Sequence, residues 1–387
     1  AMLPITALLM MATCSMITTS AFPERITDHF YQFLMNNPEK NEFALRSYRD
    51  YDQAGTFGGR VEDDDDVDED DDGDTAEKKP EIRHDPVVFV HGNQESALWF
   101  NENAHGWNKQ IKYFLKNGYS MQELHGLSHG ARNVVQALSN RFTCDIFKGV
   151  RHHIEAVLHY TQSEKVDVIS HSMGVTIARA AILGGTIHFT NETCHLGPSL
   201  AGKVDTFLGI AGAHYGVCYC SIFPVNETKA CSNDAFATGT CRVGNESDKE
   251  MELHAGVRCT DPETKCDNEY SRVLRHLNER NERVADFTVS TWTLKDEILG
   301  HNNMAFGKKT SHMPLSDLTL VYGHLNHSEI KDLTARHQFQ LVTVHDINVE
   351  VPNVSHHHHR NRRYNTTHRA AHRHIHVEHL TDEEDEY

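Results

Sequence analysis

From Pro86 onward the chain alternates between short apolar runs and longer stretches with helical spacing. Val87-Val88-Phe89-Val90 is an unbroken apolar run of strand length, and the polar turn His91-Gly92-Asn93 follows it. Helical spacing over Trp107 to Asn117 comes next, then a strand near Tyr119 to Leu124. A helix is predicted over Val150 to Thr161, a strand at Val166 to Ile169, and a small-residue helix over Val175 to Leu183. Strands at Val204 to Ala211, Asp286 to Leu294 and Leu318 to Tyr322, with a helix after Ser328, complete the series. Strands alternating with helices predict a mostly parallel sheet flanked by helices, an α/β fold.

Two stretches break this rhythm. Ile26, Phe30, Phe33 and Leu34 share one face of a short helix near the start, before Gly55 to Gly59 interrupts. The segment 218–266 has little apolar periodicity but holds Cys218, Cys220, Cys231, Cys241, Cys259 and Cys266, which predicts a disulfide-stapled surface insertion.

Composition sharpens the domain picture. The net charge is −18, yet eleven of the thirteen positions from Glu62 to Asp74 are acidic. Such a run cannot pack, so 62–79 reads as a disordered acidic loop. The remainder offers no basic face for phosphates, which argues against nucleic acid. Residues 1–21 read as an export signal, with an apolar run from Leu3 to Ala12 and small residues up to Ala21. Without Cys14, eight cysteines remain, an even set that also includes Cys144 and Cys194. Asn191, Asn226, Asn245, Asn326, Asn353 and Asn365 are glycosylation sequons, and cysteines and sequons together point to a secreted, oxidised, glycosylated protein. No later run is long and apolar enough to span a membrane. The domain expected is 22–351, with 352–387 a histidine-rich disordered tail. Nine His and five Arg between His356 and His379 make Zn or Cu binding a secondary expectation, at His356, His357, His358 and His359.

The candidate chemistry centres on Ser170-His171-Ser172-Met173-Gly174. A nucleophile placed on a sharp strand-to-helix turn needs small residues two before and two after it, and Ser170 and Gly174 satisfy this around Ser172. The backbone N–H groups of Asn93 and Met173 are the expected oxyanion donors. An acid and then a base should follow at later strand ends. Asp296 is preferred to Asp286 and Asp317, and His327 is the candidate base, with His324, His312 and His345 as rivals. With Ser172 as nucleophile these residues would cleave a carboxylic ester without a required cofactor.

The motifs resemble the class 2 lipases. The resemblance runs from about Phe22 to about Val344 and is carried by Pro86 to Asn93, Val166 to Val175 and Leu208 to Gly216. Val289 to Asp296 resembles the segment ending in that family's acid, and His327 to Thr334 the segment opening with its histidine, which is what favours His327 over His324. The resemblance implies an α/β-hydrolase acting on lipid esters, a lipase or carboxylesterase. The competing expectation is a non-catalytic secreted protein that binds lipid or metal on the same scaffold.

Overall fold

The computed structural model describes residues 25–51, 55–61, 82–102, 104–130, 138–221, 228–238, 270–349 and 372–377. The expected export signal, the acidic run and residues 356–359 lie outside them.

Two helices, α1 (Asp28–Met35) and α2 (Glu42–Tyr51), precede the sheet. Thr27 caps α1 by accepting the Phe30 N–H, and Phe30 and Leu34 are buried. Phe30 meets Tyr160 at 4.6 Å between ring centroids.

The first strands are β1 (Val87–Val90), β2 (Leu124–Gly126) and β3 (Val166–His171). The series continues through β4 (Thr186–His188), β5 (Thr193–His195), β6 (Val204–Ile210) and β7 (Phe287–Thr293). It ends with β8 (Met304–Ala305), β9 (Lys308–Lys309), β10 (Leu318–Tyr322) and β11 (Arg373–Val377). Seven of these make one sheet in the order β2-β1-β3-β6-β7-β10-β11, every pairing parallel. β4–β5 and β8–β9 are separate antiparallel pairs. The helices α3 (Asn108–Lys116), α4 (Cys144–Thr161), α5 (Met173–Leu183), α6 (Arg272–Glu279), α7 (Glu329–Asp332) and α8 (Ala335–Val344) follow in chain order. β1, β3 and β10 are buried along their whole length, as strands covered on both faces must be. The architecture is the expected α/β-hydrolase sheet.

Strand order positions the site. The chain leaves β1 for the edge strand β2, then crosses back to β3 on the other side of β1. Where the order reverses, the connections leave on opposite faces, which puts the carboxyl ends of β1 and β3 at the switch point of the sheet. His91 and Ser172 follow those two ends.

Three expectations are adjusted. The strand near Tyr119 to Leu124 lies later, because Met121–Glu123 forms a 3-10 turn whose capping box ties Ser120 to Glu123. The helix predicted from Val150 starts at Cys144, where the Thr143 side chain caps it by accepting the Ile146 N–H. Within the span expected as a disordered tail, residues 373–377 pair with β10 as an edge strand. Ile375 and Val377 alternate with histidines and pack against the core, so the strand's period-2 pattern is present beneath a polar composition.

Of the cysteine pairs, Cys220–Cys231 lies inside the expected insertion, and Cys144–Cys194 joins the start of α4 to β5.

At the opposite, amino-terminal end of the sheet, three carboxylates converge. Asp167 is buried, and its Oδ1 accepts the Thr206 N–H at 2.9 Å. Burial, then the charges of Asp85 and Asp205, push its pKa well above the ordinary carboxylate value. Asp85, itself solvent-exposed, rises to about 6 through desolvation and then the charge of Asp205. Asp205 goes the other way because His345 and Lys165 outweigh burial. A raised folded pKa means that stability present at low pH is lost as pH rises through it. Asp167→Asn keeps the acceptor for Thr206 and removes the charge. It should raise Tm at pH 8 by about 1–2 °C, what roughly 1 kcal/mol gives in a domain of more than about 300 residues, and leave it unchanged near pH 4. Thermal melts at the two pH values check this.

Candidate active site

Ser172 sits between β3 and α5 with φ 52 and ψ −124, a conformation that non-glycine residues rarely adopt. Three contacts hold it there. The Ser172 N–H donates to the Ile210 carbonyl at 2.8 Å, which ties the turn to the end of β6. A Cβ on Gly174 would lie 2.4 Å from the His91 carbonyl oxygen and 2.5 Å from that of Val90, so only glycine lets α5 begin this close to β1. Ser170, where a glycine is usual in this motif, points its hydroxyl at the Leu208 carbonyl and donates at 3.1 Å. A small hydroxylated residue therefore fits that position.

His327 stands on the loop between β10 and α7. Its Nε2 is 2.9 Å from Ser172 Oγ, and its Nδ1 is 2.8 Å from Asp296 Oδ2. Asp296 follows β7, and its other oxygen accepts the N–H groups of Ile298 and Leu299 at 3.0 and 2.8 Å. Both partners are buried. Burial opposes ionisation of Asp296, but the His327 charge and hydrogen bond and the two backbone donors outweigh it and lower the pKa. Burial likewise lowers the pKa of His327, yet Asp296, with Glu297 and Glu95, raises it above the ordinary imidazole value overall. The neutral ring thus keeps its proton on Nδ1 toward Asp296 and offers Nε2 to the Ser172 hydroxyl.

The structure brings Ser172, Asp296 and His327 together and places the other candidates elsewhere. His345 bonds Asp205 and Thr206 at the far end of the sheet. His312 lies beside Trp292 and His372 near the β11 edge. His324 is exposed. Asp286 pairs with Lys165, and Asp317 with Arg283.

The loop bearing Asn93 abuts the nucleophile: a Cβ on Gly92 would lie 3.0 Å from that of Ser172. Asn93 Oδ1 accepts from Asn140 Nδ2 at 2.5 Å. Met173 opens α5, so its N–H has no helical carbonyl to reach. His91 braces the loop by donating from Nδ1 to Gly92 O at 2.8 Å and accepting the His129 N–H on Nε2 at 2.9 Å. Its ring stacks on that of His129 at 3.9 Å.

Sequence reasoning missed a second layer. Glu95, His171 and Lys331 are buried and bonded to one another directly behind the loop and the nucleophile. The signal available was a carboxylate three residues beyond Gly92, in a segment otherwise destined for the core.

Among the described residues no group of three or more His, Cys, Asp or Glu is arranged to hold a metal ion. No helix among them is long and apolar enough to cross a membrane.

A family model described as Lipase (class 2) matches residues 84–340, more than half of the 387-residue chain. No curated protein matches. Among solved structures, the mature form of Bacillus licheniformis lipase BlEst2 is 15% identical with a TM-score of 0.42, over 69% of this chain and 95% of that one. Aspergillus fumigatus lipase B is 16% identical with a TM-score of 0.33, over 60% of this chain and 44% of that longer one. The esterase RhEst1 from Rhodococcus sp. ECU1013 is 12% identical with a TM-score of 0.35, over 67% and 91%.

The sequon at Asn326 adjoins His327. Asn326 Oδ1 accepts the N–H groups of Ser328 and Glu329 at 3.0 and 2.8 Å, which commits the side chain to starting α7. A glycan there would crowd the ester-binding side of His327, so glycopeptide mass spectrometry of protein from a secreting host should find Asn326 unmodified. Substantial occupancy in active protein would count against His327 as the base.

Proposed function

The chain belongs to the class 2 lipase family, and on that footing we propose that it is a secreted serine hydrolase that cleaves carboxylic esters of lipids through Ser172, His327 and Asp296. The observation that carries this reading is the unbroken line from Asp296 Oδ2 through both ring nitrogens of His327 to Ser172 Oγ, at 2.8 and 2.9 Å.

His327 Nε2 takes the hydroxyl proton as Ser172 Oγ attacks the ester carbonyl carbon, and the carbonyl electron pair moves to oxygen. The N–H groups of Asn93 and Met173 receive that oxyanion, and being fixed in advance they need no reorganisation as charge develops. Asp296 stays ionised and stabilises the imidazolium. When the tetrahedral intermediate collapses, the bond to the leaving alcohol breaks and His327 protonates the departing oxygen. Water then repeats the sequence, giving its proton to His327 and its oxygen to the acyl group, and the acid leaves as Ser172 regains its proton. The chemistry uses no metal or cofactor. The disulfides Cys144–Cys194 and Cys220–Cys231 support an oxidising, extracellular setting.

Fluorophosphonate probes report an activated serine. Wild-type protein should label, and Ser172→Ala should not. A folded wild type that takes up no label would favour the non-catalytic binding protein instead.

The base must be neutral to act, so kcat/KM for a soluble ester should fall as pH drops through the His327 pKa, which is raised above 6.5. In Asp296→Asn the chief raising influence is gone and burial dominates. Its acidic limb should move to lower pH, and kcat should drop on the order of 10⁴-fold. An unmoved acidic limb in that variant's pH–rate profile would remove Asp296 from the line.

A further inference from the structure

Behind the reacting groups lies a set of buried charges that the reaction itself does not use. His171 Nδ1 is 3.1 Å from Glu95 Oε2, and His171 Nε2 is 3.0 Å from the His327 carbonyl oxygen. Glu95 Oε2 also accepts the Gly92 N–H at 3.0 Å, while Oε1 lies 3.2 Å from Lys331 Nζ. Lys331 completes its donor set with Asp332 Oδ1 at 2.8 Å and the Gly106 carbonyl at 2.6 Å, above the ring of Trp107. Side-chain exposure is 3% for His171, 10% for Glu95 and 1% for Lys331, so water contributes little to any of them.

The Glu95 carboxylate is the hub of the set: it accepts the Gly92 N–H while facing His171 on one side and the Lys331 ammonium on the other. Burial favours the neutral acid there, but Lys331 and then His171 outweigh it, and the Glu95 pKa is held well below the ordinary value. Removing that charge would leave Asp332 as the remaining carboxylate on Lys331 and slacken the contacts to Gly92 and His171.

The connectivity gives the set its role. Gly92 directly precedes Asn93, His171 directly precedes Ser172, and the third anchor is the backbone of His327 itself. We propose that Glu95, His171 and Lys331 act as a buried polar clamp that sets the oxyanion loop, the nucleophile and the base relative to one another. These are positioning residues, since none touches the reacting atoms. The proposal rests on the reading of Ser172 and His327 as nucleophile and base.

Kinetics and labelling together test it. For a soluble ester, kcat of Glu95→Gln should fall roughly 10- to 100-fold with KM within about twofold, the size of effect that small misplacement of reacting groups produces. The fluorophosphonate labelling rate should fall in parallel. A purely structural role would instead lower Tm and leave kcat per labelled site unchanged, and that result sinks the clamp. Should Glu95→Gln not fold, His171→Gln carries the kinetic test, and wild-type kcat in it would also overturn the proposal. Failure of the folded wild type to label at all overturns the reading of Ser172 and the clamp with it, whereas normal wild-type labelling with unchanged kcat in Glu95→Gln overturns the clamp alone.

Discussion

The centre depends on how closely α5 approaches the end of β1. Gly174 packs where any side chain would collide with the Val90 and His91 carbonyls, and Gly92 packs where one would crowd Ser172. These two close approaches put the first turn of a helix, the nucleophile and the preceding strand's loop within one small volume. The cost is the Ser172 backbone, whose strain is on the order of 1–3 kcal/mol. It persists because every residue of α5 and of β3 is buried, so the turn cannot relax without dismantling the core. The strained turn at Ser172 is thus held in place by the apolar packing beneath it.

Charge is distributed by the same logic at both ends of the sheet, with opposite results. At the carboxyl ends, buried groups come in opposed pairs: Asp296 with His327, and Glu95 with His171 and Lys331. The carboxylates Asp296 and Glu95 keep their charged form because their partners and backbone donors offset desolvation. At the amino-terminal end, Asp85 and Asp167 face a third carboxylate, and desolvation and like charge bias both toward the neutral acid. Of the three, only Asp205 is held ionised against burial, by His345 and Lys165.

Composition misleads most at the edge of the sheet. The chain from His356 to His379 is dominated by His and Arg, yet Ile375 and Val377 are enough to seat a five-residue strand beside β10. Parallel pairing supplies a backbone hydrogen-bond ladder whatever the side chains are, and two apolar contacts set which face turns inward.

Locally encoded features were readable from sequence alone. The apolar runs at Val87 to Val90 and Leu318 to Tyr322 are strands because they are too short for helices and too apolar for loops. Ser172 announced itself because an elbow is built from residues adjacent in the chain. The family resemblance directed the choice of His327 among thirty histidines, which periodicity could not make. Tertiary structure decided what depends on which strand ends converge. It brought His327, 155 residues away, to Ser172, and sent His345 and His312 elsewhere. It paired Cys144 with Cys194, and joined Glu95, His171 and Lys331. Those contacts have no local signature, because strand order fixes them, and strand order is settled only when the whole sheet buries both its faces.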